Sequence, residues 1–126
     1  MIFGIGTDIV RVERMEEILR RRGDRFARRI LTEKEYQDLQ QAHAPARFLA
    51  KRFAAKEAAA KAMGTGFRQG LQLRNIGVGH DDRGRPLLEF NGHATEFLRA
   101  RGVHSAHLSL ADEQEYAVAF VTLSTD

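Results

Sequence analysis

Three charged residues stand where charge is unusual and could do chemistry together. Asp8 is the only charge in the apolar stretch 2–10, and Glu57 lies in an alanine-rich stretch that also holds Lys61. A carboxylate in apolar surroundings is costly unless it meets a cation or hydrogen bonds. Magnesium suits such a pair, because it takes one or two protein carboxylates and fills its other positions with water and phosphate oxygens. Asp8 and Glu57 are therefore a candidate magnesium site.

A simpler interpretation of the same residues needs no metal. Asp8 could cap a neighbouring segment of backbone, and Glu57 could pair with Lys61 four residues later. Such a pair is worth about 0.3 to 0.5 kcal/mol on an exposed helix. The residue types alone leave both interpretations open.

The segment from Lys61 onward predicts a phosphate site. Lys61 stands one turn after Glu57, so its ammonium reaches the same region. Thr65, with the backbone of Gly64 and Gly66, offers further donors for a phosphate. The alternative is that Gly64-Thr65-Gly66 is a plain helix C-cap, in which Gly64 ends the helix. These glycines follow a helix instead of preceding it, and no Gly-Lys-Ser/Thr is present, so the segment is not a Walker loop.

The elements that must position these residues follow from hydrophobic periodicity. Apolar residues predict a buried strand over 2–10, and the helix over 46–63, apolar all round, is expected to be central and buried. Four further helices are expected: 12–22, a piece around Phe26 and Ile30, a capping-box helix starting at Thr32, and 93–101. Four further strands are expected: 76–80, 87–90, 107–110 and 116–123. The order predicts an α+β fold in one domain, 1–126, whose central buried helix packs on antiparallel strands.

Composition narrows the class of protein. The absence of cysteine excludes disulfides, a thiol nucleophile and a thiolate metal site. No apolar run approaches the roughly 20 residues of a membrane span, and the start lacks the pattern of a secretory signal, so we expect no membrane partner and a cytoplasmic location. The net charge of +3 indicates an acidic partner.

Two longer segments resemble the hallmarks of a known family. The opening Gly4-Ile5-Gly6-Thr7-Asp8-Ile9 and the run from Lys56-Glu57 to Gly66 are similar to those of holo-acyl-carrier-protein synthases, the small phosphopantetheinyl transferases. Shorter similarities are Arg28-x-Ile30-Leu31-Thr32, Arg52-Phe53, Gly84-x-Pro86, His107-x-Ser109 and Tyr116-Ala117. The resemblance spans nearly the whole chain and implies the 4'-phosphopantetheinyl transferase-like fold.

The same resemblance implies a reaction. A serine hydroxyl of an apo acyl carrier protein attacks the β-phosphate of coenzyme A, which leaves 3',5'-ADP and a phosphopantetheinylated serine. Mg²⁺ at Asp8 and Glu57, with Lys61 beside the pyrophosphate, would stabilise the developing charge. Glu57 either ligates the metal or, through a water, helps to deprotonate the serine. Arg52 and His107 would approach the 3'-phosphate and adenosine end, and a homotrimer with active sites between subunits is implied.

A basic stretch indicates where the carrier protein docks. Between Arg11 and Lys34 there are nine basic and five acidic residues. Acyl carrier proteins are acidic, so we predict docking at Arg14, Arg22, Arg25 and Arg28, with charge steering the encounter. The alternative is a solvated helix face that nearby glutamates partly neutralise.

Two rival functions remain: a basic nucleic-acid-binding protein and a carrier-protein docking module without activity. The few aromatic residues are not interleaved with the arginines as a stacking platform, which argues against nucleic acid. The presence of Asp8, Glu57 and Lys61 argues against an inactive module.

Overall fold

A computed structural model describes residues 1–67 and 70–126 of the chain. Its helices are α1 (Val12–Arg22), α2 (Asp24–Ile30), α3 (Glu33–Gln40), α4 (Pro45–Met63) and α5 (His93–Ala100), with one 3-10 turn at Leu73–Asn75. Its strands are β1 (Ile2–Arg11), β2 (Ile76–His80), β3 (Pro86–Phe90), β4 (Ser105–Asp112) and β5 (Tyr116–Ser124). Each predicted element is therefore present, with ends that differ by one or two residues.

The strands form two antiparallel sheets. One sheet has three strands in the order β1-β5-β4, and the other is the β2–β3 hairpin. In the first sheet Asp8 lies opposite Ala119, and His107 lies opposite Thr122. Ala119 and Thr122 are three residues apart on β5, and side chains alternate between the two faces along a strand. Asp8 and His107 therefore project from opposite faces of the sheet.

Helix α4 is the central element, as its all-round apolar pattern predicts. Its fully covered residues include Leu49, Ala54, Ala58 and Ala59. Pro45 occupies the first turn, where its missing N–H costs nothing. Gly64 ends the helix in the left-handed conformation, with φ of 85°. The α+β class, with a buried helix packed on antiparallel strands, is confirmed.

Two glycines bring β1 unusually close to α4. A Cβ on Gly4 would lie 1.9 Å from the Ala62 carbonyl oxygen, and one on Gly6 would lie 1.9 Å from that of Ala58. Only a residue without a side chain fits either position, because these contacts are with helix backbone. The glycines thus set the distance between strand and helix, and with it the distance from Asp8 to the residues of α4.

The expectation that strand 2–10 is buried is wrong for one of its faces. Ile5 and Ile9 are each 61% exposed and Ile2 is 57% exposed, whereas Val10 is covered. The inner face carries Gly4, Gly6, Asp8 and Val10 against α4. Within the described residues, the outer face around Ile5, Ile9 and Phe120 is left largely exposed.

The described elements share one hydrophobic core, which gathers around α4 and the inner face of the three-stranded sheet. None of the helices in the described ranges is both long and apolar enough to cross a membrane. The arrangement leaves the ends of β1 and α4 that carry Asp8, Glu57 and Lys61 near the surface.

Candidate active site

The tight contact between β1 and α4 brings Asp8 and Lys61 together. The Lys61 Nζ atom donates to Asp8 Oδ1 and to the Thr7 carbonyl oxygen, each at 3.0 Å. The side chain of Lys61 is 55% exposed and that of Asp8 is 17% exposed, so solvent and ligands reach the pair. The lysine therefore pairs with the strand carboxylate, and the metal-free alternative of a Glu57–Lys61 ion pair is not what the structure shows.

Glu57 faces the same place from one turn earlier on α4. Partial burial, and then the negative charge of Asp8, raises the pKa of the Glu57 carboxyl, while Lys61 and Arg14 act in the opposite direction. Two carboxylates that repel each other at a half-open position are the donor set that a divalent cation suits.

The chemistry of this donor set fits magnesium. In the described ranges, no group of three or more acidic or histidine side chains gathers. A cation at Asp8 and Glu57 would rest on two protein carboxylates, which is the number that Mg²⁺ typically takes when phosphate oxygens and water complete its shell. Calcium prefers more protein ligands.

The predicted phosphate cradle is only partly available. The Gly64 N–H donates to the carbonyl oxygens of Ala60 and Lys61, and thereby closes the helix. The Thr65 hydroxyl donates to the Gly66 carbonyl at 3.1 Å. The expected Gly64 donor is therefore occupied by the helix cap, whereas Thr65 lines an open cavity of about 250 Å³ with Leu71, His93 and other residues.

Arg52 does not join Asp8 and Glu57 within one chain. It lies five residues before Glu57, which is about 140° around the helix. Its side chain is 6% exposed and approaches Glu35, with Nε 3.9 Å from Oε2, and its guanidinium lies 4.3 Å from the centre of the Phe48 ring. With His80 it borders a cavity of about 250 Å³. Burial lowers the pKa of this guanidinium, and Glu35 opposes that shift.

His107 also lies apart from the carboxylate pair. It projects from the outer face of the sheet, whereas Asp8 projects from the inner face. It borders a cavity of about 190 Å³ together with Arg85, Pro86 and Leu87 of the hairpin. The three groups of predicted residues thus occupy three separate places on one chain.

The predicted docking arginines are exposed along α1 and α2. Arg14 lies nearest to the site: its guanidinium is 5.4 Å from the centre of the Phe53 ring, and its charge acts on Glu57. Arg28 stacks over Tyr36 at 4.3 Å. Arg22 stands about 12 Å along the axis of α1 from Arg14, and Arg25 lies in α2.

Sequence reasoning missed Glu35 and Lys56 as a pair. Both side chains are fully covered, and Lys56 Nζ lies 2.7 Å from Glu35 Oε1. The available signals were the capping box, which places a glutamate at Glu35, and a lysine within a run of alanines. Neither signal shows that residues 21 positions apart meet.

Comparisons with known proteins identify the family of this chain. The model of the 4'-phosphopantetheinyl transferase superfamily matches residues 4–121. A holo-[acyl-carrier-protein] synthase of Nitrosococcus oceani is 62% identical over 98% of this chain and 80% of its own length, and one from Halorhodospira halophila is 58% identical over 99% of both. The chain therefore belongs to the 4'-phosphopantetheinyl transferase superfamily.

Solved structures narrow this assignment. The holo-[acyl-carrier-protein] synthase of Neisseria meningitidis has a TM-score of 0.94 and 45% identity, covering 98% of this chain and 99% of its own. That of Bacillus anthracis, in complex with CoA (3',5'-ADP), has a TM-score of 0.84 and 39% identity, covering 100% and 99%. The chain is an enzyme of the holo-[acyl-carrier-protein] synthase group, and the expected fold is confirmed.

Proposed function

We propose that this transferase moves 4'-phosphopantetheine from coenzyme A to a serine of an apo acyl carrier protein, with Mg²⁺ held by Asp8 and Glu57. The observation that carries the proposal is the meeting of Asp8 with Lys61 at 3.0 Å, beside a Glu57 whose pKa is raised by burial and then by the charge of Asp8. The arrangement offers two carboxylates for a cation and one ammonium for a phosphate. The binding of coenzyme A by similar enzymes supports the choice of donor.

In the proposed reaction, the serine oxygen forms a bond to the β-phosphorus of coenzyme A, and the proton of its hydroxyl passes to a water, which Glu57 can help to deprotonate. The bond from that phosphorus to the bridging oxygen breaks, so 3',5'-ADP leaves with the electron pair. Bound Mg²⁺ would supply positive charge to the pyrophosphate oxygens. Lys61 supplies a further ammonium charge from the protein, and Asp8 and the Thr7 carbonyl orient it.

We further propose that neighbouring copies in a homotrimer complete each site. Asp8, Arg52 and His107 lie in three places on one chain, although one coenzyme A molecule is expected to meet all three. The uncovered outer face of the sheet supports assembly, because Ile5, Ile9 and Phe120 are 44% to 61% exposed there. Phe120→Asp should reduce the oligomer measured by light scattering together with transfer, whereas Thr95→Asp on α5 should change neither. A fully active monomer would contradict the shared site.

Docking of the acidic carrier protein is proposed along α1 and α2, at Arg14, Arg22, Arg25 and Arg28. The proximity of Arg14 to Glu57 supports this, because the serine must reach the metal site. Arg14→Glu should raise KM for the carrier protein at least about tenfold, with little change in KM for coenzyme A. Equal effects on both substrates would count against docking there. A cytoplasmic location and a single domain over 1–126 stay predictions.

The test of the central proposal is intact mass spectrometry of an apo acyl carrier protein after incubation with this enzyme and coenzyme A. We expect a gain of about 340 Da, the phosphopantetheine increment, with Mg²⁺ and none with EDTA. Asp8→Asn and Glu57→Gln should abolish the gain and keep the fold, and Glu16→Gln on the exposed face of α1 is the matched control. Transfer that survives EDTA removes the metal from the mechanism, and no transfer to several carrier proteins removes the proposed function.

A further inference from the structure

Lys56 stands next to Glu57 in the sequence but faces a different part of the molecule. Its side chain is 0% exposed and that of Glu35 is 1% exposed. The pair lies between α4, α3 and β2. Burial lowers the pKa of the Lys56 ammonium, and Glu35 opposes that shift by its charge and its hydrogen bond. The proposed reaction uses neither residue.

The hydrogen bonds of this ion pair are complete. Lys56 Nζ donates to Glu35 Oε1 at 2.7 Å, to the Ile76 carbonyl at 2.5 Å and to the Leu73 carbonyl at 3.2 Å. Glu35 also accepts from the Thr32 N–H at 2.9 Å and from the Val78 N–H at 2.8 Å. An ammonium has three donors. None of the three is therefore left for a substrate phosphate.

Two of these bonds close the free edge of the hairpin. Within the described ranges, strand β2 pairs with β3 along one edge and with no strand along the other. On its other edge, the Ile76 carbonyl is bound by Lys56 and the Val78 N–H by Glu35. The two side chains take the hydrogen-bonding positions that a third strand would fill, and they join the small sheet to α4 and α3.

The hairpin held in this way forms one wall of the cavity at His107. Arg85 and Pro86 come from the turn and the start of β3, and they border the cavity of about 190 Å³ that also includes His107. Resting on the proposed nucleotide role of His107, we infer that Lys56 is a positioning residue: through Glu35 and β2 it holds the hairpin wall of the coenzyme A site, and it touches neither substrate nor metal.

A double-mutant cycle separates this role from direct contact with substrate. Lys56→Met removes the cation that contacts Glu35 most closely and leaves Arg52, with Nε 3.9 Å from Oε2, as the remaining cation beside this buried carboxylate. It should raise KM for coenzyme A at least about tenfold while kcat changes less than about threefold. Glu35→Gln with Lys56→Met removes both charges, and it should recover most of that loss. Lys34→Met is the matched control, because Lys34 is an exposed lysine that also pairs with a carboxylate.

The opposite outcome overturns the inference. If the folded double variant is as impaired as Lys56→Met, or if kcat falls with KM unchanged, Lys56 acts on the reacting groups. Should Lys56→Met fail to fold, the double variant is compared with Glu35→Gln alone. The two should agree in KM for coenzyme A within about threefold, and a tenfold difference in kcat would exclude a positioning role.

Amide exchange keeps this test independent of the proposed reaction. The Val78 amide, bonded to Glu35, should exchange at least about tenfold faster in Lys56→Met than in the wild type. Unchanged exchange would refute the hairpin clamp even if the enzyme transfers phosphopantetheine. Faster exchange in a protein without transfer would leave the clamp standing, with the proposed function lost.

Discussion

The two sides of helix α4 are buried in opposite ways. Toward β1 the helix presents alanines to Gly4 and Gly6, and backbone meets backbone without a side chain between them. Toward α3 and β2 it buries Lys56 against Glu35 and main-chain carbonyls. The glycine side sets the position of Asp8 relative to Lys61, whereas the charged side sets the position of the hairpin.

This difference teaches that the two sides should respond differently to substitution. A backbone contact leaves no atom free to move aside, so an added methyl group must displace a whole element. A buried ion pair is lost when one partner is removed, but it can be replaced when both partners change together. The glycine side should thus tolerate no added side chain, whereas the charged side should tolerate the replacement of both ion-pair partners together.

The largest effect is expected on the glycine side. Gly6→Ala puts a Cβ 1.9 Å from the Ala58 carbonyl oxygen, and we expect a loss of at least about 3 kcal/mol in the free energy of unfolding. Urea denaturation measures it. Gly77→Ala is the control, because its Cβ would meet the Thr32 methyl group at 3.2 Å and the Glu89 carbonyl oxygen only at an ordinary contact distance of 3.5 Å. Near-equal losses in the two variants would mean that the helix–strand contact can relax.

An intermediate effect is expected on the charged side. Lys56→Met alone should lower the free energy of unfolding by about 3 kcal/mol, because the buried Glu35 carboxylate loses its partner at 2.7 Å and keeps only Arg52 at 3.9 Å. With Glu35→Gln added, the loss should shrink to within about 1 to 2 kcal/mol of the wild type. Urea unfolding of all four proteins in the cycle measures this. If the double variant instead lost as much free energy of unfolding as the two single variants summed, the charged side would tolerate concerted change no better than the glycine side.

The smallest effect is expected at the edge of the charged cluster. Thr32 accepts from the Glu35 N–H at 3.2 Å in the capping box of α3. Thr32→Ala should cost about 1 kcal/mol, because Glu35 keeps its bonds to Lys56 and Val78. Thermal unfolding of Thr32→Ala measures this loss, and Thr95→Ala in α5 is the control variant. A loss as large as that of Lys56→Met would show that the cap, and not the ion pair, holds this side together.

The amino-acid sequence by itself determined much of the fold and singled out the two carboxylates that we propose to hold the metal. The central helix is recognisable from its apolar pattern, from Pro45 in its first turn and from Gly64 at its end, because these signals are local in the chain. Asp8 and Glu57 stand out because a charge within an apolar run is costly without a partner. Family resemblance, confirmed by the comparisons, added the reaction.

Only the tertiary structure decided which residues meet. Local patterns do not show that Gly6 lies against Ala58, that Lys56 bonds Glu35, or that Lys61 pairs with Asp8, since each contact joins distant positions. The same limit explains the error about β1: an apolar strand looks alike whether its second face is covered by its own chain or left exposed. Ile5 and Ile9 are exposed because α4 covers one face of the sheet alone, and that depends on topology instead of composition.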